Sequence, residues 1–208
     1  MVIYRSLTEK IMNKLICLMG KSCTGKDTIY KKLLQDPELD IRVLKPCTTR
    51  PRRLNEKEGI EYNFVSEEEY ESFKNSGMIL EERSYDTACG IWRYFTLKDK
   101  ELMDSDDTYI YIGTLEAYES LKNGLGEEKL IPVYIEVNDS IRIDRAVHRE
   151  KKQAEPKFTE MCRRFIADTE DFSEDKLKAA GISPDSRFNN EVLEECLSDI
   201  KAYILKRI

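Results

Sequence analysis

The chain has 208 residues, 40% hydrophobic and 36% charged, enough for one well-buried core with a small inserted lobe. A net charge of -6 excludes a nucleic-acid-coating surface, because affinity for a phosphate backbone needs a concentrated excess of Lys and Arg. No apolar run approaches the roughly 20 residues that cross a bilayer. Nor is there a secretory h-region or a C-x-x-C pair among Cys17, Cys23, Cys47, Cys89, Cys162 and Cys196, so a cytoplasmic protein with reduced thiols and no membrane partner is expected.

In chain order, MVIYRSLTEKI (1–11) precedes a second methionine, Met12, which leaves two candidate starts. KLICLM (14–19) predicts a short buried strand, and KDTIYKKLLQ (26–35) spaces Ile29, Leu33 and Leu34 as on a helix. Residues 48–95 change texture. EYNFV (61–65) alternates like a half-buried strand. SEEEYESFKNSG (66–77) sets Ser66 and Glu69 in capping-box spacing before a helix that stops at Gly77, and MILEERSY (78–85) and CGIWRYF (89–95) predict further strands. TYIYIG (108–113) and LIPVYIEV (130–137) are each followed by a helical segment. The last third is mostly helical, with a charged stretch at 149–158 and a closing amphipathic helix over 190–207. Apolar runs alternating with helices predict a parallel sheet covered on both faces, here split into a core of 14–47 and 96–208, with an inserted mixed lobe at 48–95. There is no internal repeat.

The stretch GKSCTGKDT (20–28) contains G-x-x-x-x-G-K between the strand and the helix, the context that a phosphate-binding loop requires. The glycines let successive backbone N–H groups and the helix N-terminus point at phosphate oxygens, while Lys26 reaches the outer phosphates. Gly20, Ser22, Cys23, Thr24, Gly25, Lys26, Asp27 and Thr28 are therefore candidate phosphate contacts. The departure is Asp27, which stands where such loops place a magnesium-binding hydroxyl. Asp27 or Thr28 is the candidate Mg2+ ligand, although Thr28 points about 100° further round the helix. Asp27 also suits a helix N-terminus as a plain acid complementing the macrodipole. Cys23 is either a thiol sensitised by the loop's positive field or simply a small side chain.

TTRPRRLNEKEGIEYNFVSEEEYESFKNSGMILEERSY (48–85) resembles the nucleoside-monophosphate-binding lobe of guanylate kinases. The T-T-R-x-x-R segment, the Y-x-F-V-S segment and an acid after the following helix fall here on Arg50, Arg53, Tyr62 and Glu81, and the likeness runs from residue 14 to the C-terminus. It implies a P-loop nucleoside-monophosphate-kinase fold: a three-layer α/β core, a small mixed NMP-binding lobe and a helical lid over about 145–165. It also implies ATP, GMP and Mg2+ as small-molecule partners, and a monomer or homodimer. Two guanidinium forks and a phenol suit a phosphate dianion. A carboxylate at Glu81 suits the N1–H and 2-amino group of guanine. For Arg50, Arg52 and Arg53 the plainer alternative is a solvated basic turn, and Arg52 is left unassigned. Arg145 and Arg149 match the family's lid arginines, and Arg163 or Arg164 matches the arginine on the lid's far side. Their implied work is neutralising charge on the transferred phosphoryl group.

The family pattern also breaks. Tyr111 and Gly113 stand where the family carries strand-end acids, so Asp27 is read as a compensating metal ligand. Pro46 or Cys47 replaces a guanine-reading hydroxyl before T-T-R, and Ile91 replaces another after Gly90, with Thr87 or Tyr94 as substitutes. Trp92, Tyr94 and Phe95 are expected to pack the lobe, and His148 has no assigned role. The reading is phosphoryl transfer from Mg-ATP to GMP or dGMP. The alternatives are a ribose 1,5-bisphosphate phosphokinase, whose members also carry G-K-D in the loop, and a catalytically silent module that binds protein partners.

Overall fold

The first strand is apolar at both parities because both of its faces are covered. The computed structural model describes residues 14–53, 56–60, 62–87, 90–98 and 105–208, so the leader with its two candidate starts and Cys89 lie outside the described residues. The elements run β1 (Lys14–Met19), α1 (Lys26–Leu34), β2 (Ile41–Val43), β3 (Cys47–Thr48), β4 (Asn63–Phe64), α2 (Glu67–Asn75), β5 (Ile79–Thr87) and β6 (Gly90–Leu97). They continue with β7 (Thr108–Ile112), α3 (Leu115–Leu125), β8 (Leu130–Glu136), α4 (Asp139–Lys151), α5 (Phe158–Asp171), α6 (Glu174–Ala179), β9 (Arg187–Asn189) and α7 (Leu193–Leu205).

Five strands form a parallel sheet in the order β2-β7-β1-β8-β9. Leu15, Cys17 and Met19 of β1 join Tyr118 and Leu121 of α3 and Leu177 of α6 on one face. Ile16 and Leu18 join Ile29 and Leu33 of α1 and Ile200 and Ile204 of α7 on the other. The predicted three-layer arrangement is thus observed. Two strands of this sheet escaped the sequence reading, β2 and β9, because each is only three residues long and lies at a sheet edge, where no apolar run is needed.

The second sheet, in the order β4-β3-β6-β5, begins at Cys47 and ends at Leu97, close to the predicted lobe. Of the predicted 61–65 strand only Asn63–Phe64 is regular, and Glu61 lies outside the described residues. Helix α2 begins as its capping box requires: Glu69 N–H donates to Ser66 Oγ at 3.1 Å, and Ser66 N–H donates to Glu69 Oε2 at 2.8 Å. It closes one face of the lobe, where Cys47, Tyr70 and Phe95 form a small core with Phe73, Ile79 and Leu97 against it.

The β5–β6 pairing contains one irregularity that decides the site. Ile79 pairs Leu97, but Glu81 pairs Thr96, so Leu80 is an extra residue in the ladder. A bulge of this kind reverses the alternation and re-aims side chains. Ile79 and Glu82 consequently share the α2 side, where Glu82 accepts from Tyr70 Oη at 2.7 Å and from Lys74 Nζ at 2.8 Å. Leu80 enters the main core with α3, and Glu81, Arg83 and Tyr85 turn to the opposite face.

Candidate active site

The loop between β1 and α1 is shaped as the sequence requires. Gly25 is the N-cap of α1 with φ 90°, and a Cβ there would collide with Asn190 Nδ2, so both backbone and space demand glycine. The reason for the crowding is a clamp: buried Asn190 donates from Nδ2 to Thr24 O at 2.7 Å. Thr24 is itself fully buried and donates to Lys21 O at 2.9 Å, so it shapes the loop from within and is not presented to a ligand. Cys23 sits in the left-handed region with φ 66°. Lys26 opens α1, partly exposed, with Asp27 and Thr28 exposed in the first turn beside it.

Two residues with no role in the sequence reading tie this loop to the lid. Arg142, fully buried on α4, donates from Nε to Ser22 O at 3.1 Å, pairs through Nη1 with Asp139 and through Nη2 with Asp168 at 3.3 Å, and lies 4.4 Å over the Phe165 ring. Asp168 of α5 also accepts the Ser22 N–H at 2.6 Å. A carboxylate oxygen therefore sits on a loop amide, the kind of donor that phosphate loops offer to anions. A buried arginine is affordable only with such partners, and the pairing fixes both lid helices against the loop.

The lobe presents a row of polar and aromatic side chains on the face turned by the bulge. Arg50 is buried and forks onto Glu56, Nη1 to Oε2 at 2.9 Å and Nη2 to Oε1 at 2.8 Å, while its Nε donates to Tyr94 Oη at 3.0 Å. The fork holds the Glu56 carboxyl below the usual carboxylate range. Tyr62 packs edge-on to Tyr94 at 5.6 Å and beneath the Arg50 guanidinium at 5.5 Å, and burial pushes its phenol up. Arg53 is exposed; its N–H donates to Glu56 Oε2 at 2.9 Å.

At the inner end of the row, Glu81 accepts from Thr96 Oγ1 at 2.8 Å and Tyr111 Oη at 3.2 Å, both on Oε1. Its Oε2 stands 3.3 Å from Arg83 Nε, close enough for an ion pair but outside hydrogen-bond geometry, leaving both atoms buried without a hydrogen bond. Arg83 donates from Nη2 to Tyr111 Oη at 2.9 Å and from Nη1 to Thr114 Oγ1 at 3.3 Å. Gly113 makes this possible. An added Cβ would overlap Tyr111 Cε1 and stand 3.0 Å from its Cδ1, so the ring lies where any side chain at 113 would begin.

A family model described as guanylate kinase matches residues 12–90. The guanylate kinase of Malacoplasma penetrans (strain HF-2) is 30% identical over 170 residues, covering 79% of this chain and 74% of the relative. The chain belongs to the guanylate kinase family. A second family member, the guanylate kinase of Mycoplasmoides gallisepticum, is 27% identical over 199 residues, covering 92% of each chain. The solved guanylate kinase from Anaplasma phagocytophilum shares the fold at TM-score 0.61 and 18% identity, over 95% of this chain and 87% of that one.

Against the family pattern, the structure corrects several expectations. Glu81 is sealed, its side chain 0% exposed behind Arg83, so in this arrangement it offers no carboxylate to an incoming base. Arg83, absent from the sequence-based site, is 12% exposed and stands in front of it. Tyr94 does not merely pack the lobe as Phe95 does; it faces the row and holds Arg50. Thr87 is no substitute near Glu81, because it lies six residues along the strand, roughly 20 Å at 3.3 Å per residue, and donates to Gly90 O. The hydroxyls at Glu81 are those of Thr96 and Tyr111, one strand over and one sheet away in positions no spacing rule connects. Cys47 is buried in the lobe core, its thiol pushed up to about 11 by burial.

The segment expected to form a lid, 145–165, falls on two helices, α4 and α5, joined by a short connection. Buried Glu150 closes it by accepting from Lys157 N–H at 2.6 Å and Gln153 Nε2 at 2.9 Å. Arg145 lies beside the loop and donates to Asn190 O at 3.1 Å. Arg149 and His148 are exposed on the same helix. Arg163 and Arg164 are not brought to the loop: both are exposed and held by Glu160 on their own helix, at 2.7 Å and 2.8 Å.

For Mg2+, the described residues contain no group of three or more His, Cys, Asp or Glu side chains that could hold a metal. The exposed carboxylate of Asp27, in the first turn of α1, is nevertheless a fitting donor for an ion that keeps several waters and takes its remaining ligands from substrate phosphates.

Proposed function

We propose that this chain transfers the γ-phosphoryl group of ATP to GMP or dGMP, giving the nucleoside diphosphate and ADP. The observation that carries the reading is the union, in one chain, of a phosphate loop at the end of β1 with a lobe face bearing Arg50, Tyr62, Tyr94 and Arg83. The loop amides and Lys26 bind the outer phosphates of ATP. Arg50 and Arg53, with Tyr62, hold the acceptor phosphate; for Arg50 this means giving up part of its fork to Glu56, which meanwhile keeps the guanidinium oriented.

The acceptor is an anionic phosphate oxygen, so no general base is needed, and catalysis rests on positioning and on neutralising charge. Arg145 is nearest the loop for that task, with Arg149, Arg163 and Arg164 joining it on lid closure. Asp27 or Thr28 would hold Mg2+, which neutralises charge on the β- and γ-phosphates when bound. Guanine selection belongs to the Glu81–Arg83 pair.

The reading is tested by ADP release with Mg-ATP and a panel of GMP, dGMP, AMP, CMP, UMP and ribose 1,5-bisphosphate. Preference for GMP and dGMP is expected. Activity on the sugar bisphosphate alone, or silence across the panel, refutes it.

A further inference from the structure

The base end of the row is built unlike the rest of the family pattern. The strand-end acids are replaced by Tyr111 and Gly113, the hydroxyl before T-T-R by Pro46 or Cys47, and the hydroxyl after Gly90 by Ile91. Ile91 is exposed on β6, and Cys47 points into the lobe core. With Glu81 enclosed, the polar group left facing the row at this end is a cation, Arg83.

From this arrangement we propose that Arg83 is a specificity-determining residue, which reads the O6 and N7 acceptors of guanine with its guanidinium while Glu81, Tyr111 and Thr114 hold it in place. The inference rests on the GMP-kinase reading and deepens it. An arginine fork on guanine O6 and N7 is the commonest specific contact to that base, because both atoms are acceptors in one plane. Adenine carries a 6-amino donor in place of O6, so Arg83 would face a donor there and leave a buried N–H unpaired.

Three features prepare the group for this role. Arg83 is cross-strand partner of Tyr94, whose hydroxyl holds Arg50, so the base reader and the phosphate-binding arginine are linked through one side-chain row. Two of its five N–H groups are fixed by Tyr111 and Thr114, which orients the guanidinium plane. Its Nε and the facing Glu81 Oε2 are buried without hydrogen bonds, and a small shift on base binding lets each find one. Glu81 on this account is a positioning residue: it supplies the counter-charge that makes a buried guanidinium tolerable.

The test compares kcat/KM for GMP, 6-thio-GMP, 7-deaza-GMP and IMP in the wild-type enzyme, Arg83→Met and Arg83→Lys. Sulfur at position 6 is a weak acceptor and 7-deaza-guanine has none at position 7, whereas IMP lacks only the 2-amino group. The expected result is that the wild type disfavours the 6-thio and 7-deaza analogues by about tenfold to a hundredfold. Arg83→Met should lose most of that preference, with KM for ATP unchanged, and Arg83→Lys should retain part of it. A merely structural Arg83 would lower activity on all four acceptors alike and leave their ratios intact, which overturns the proposal. So does strong discrimination against IMP alone, unchanged in Arg83→Met, since Glu81 would then be the direct reader. No activity of the wild type on GMP fails the underlying reading instead.

Discussion

Gly113→Ala isolates the exchange that remodels the base end of the site. Gly113 does not have a left-handed backbone, so alanine meets no conformational penalty there; the cost is steric. The new methyl would overlap Cε1 of Tyr111 and stand 3.0 Å from Cδ1 and 3.1 Å from Cζ, against a ring that is 1% exposed and tied to Glu81 and Arg83. Overpacking of this kind costs about 2 kcal/mol, which for a chain of this size lowers Tm by about 4–8 °C. The same substitution in a Tyr111→Leu background should cost under about 0.5 kcal/mol, because the ring it strikes is gone. Urea unfolding of the four proteins gives a coupling energy of about 2 kcal/mol if the two positions act as one unit. Equal cost in both backgrounds would refute the packing of Tyr111 on Gly113.

Lys26→Met should lower kcat by roughly a hundredfold or more while leaving the unfolding midpoint within error, as expected of a group that acts on transferring phosphates; a coupled ADP-release assay measures it. Ser66→Ala removes one half of the α2 capping box and should cost about 1 kcal/mol, a Tm fall of about 2–4 °C, with kcat preserved. The buried thiols of Cys47 and Cys196 are both raised to about 11, the first cause being burial. The folded state therefore keeps protons that the unfolded state releases near pH 9, so stability is complete below about pH 9 and falls as pH rises toward 11. Urea midpoints across that range check the sign, and alkylation at pH 8 should mark Cys162 and Cys23 well before Cys17, Cys47 and Cys196, with ATP protecting Cys23.

Much was determined by local pattern. The strand–glycine loop–helix unit, the capping box of α2 and the alternation that builds a two-faced parallel sheet all follow from residues a few positions apart, whose geometry is set by backbone period and capping chemistry. The motif spacing at Arg50, Arg53, Tyr62 and Glu81 was equally legible, since each lies within one lobe. The sequence alone did not reveal what those residues meet. A single extra residue at Leu80 reverses the face of β5 and turns Glu81 and Arg83 together away from α2. The hydroxyl of Tyr111 arrives from a different sheet, and Arg142 and Asp168 reach the loop from helices more than a hundred residues away. Such contacts depend on register, on a ring's room over a glycine and on how helices dock, none of which has a local signature. The glycine loop's own conformation was therefore written in the chain's short-range chemistry, while the partners of that loop and the surroundings of Glu81 and Arg83 were decided by tertiary packing.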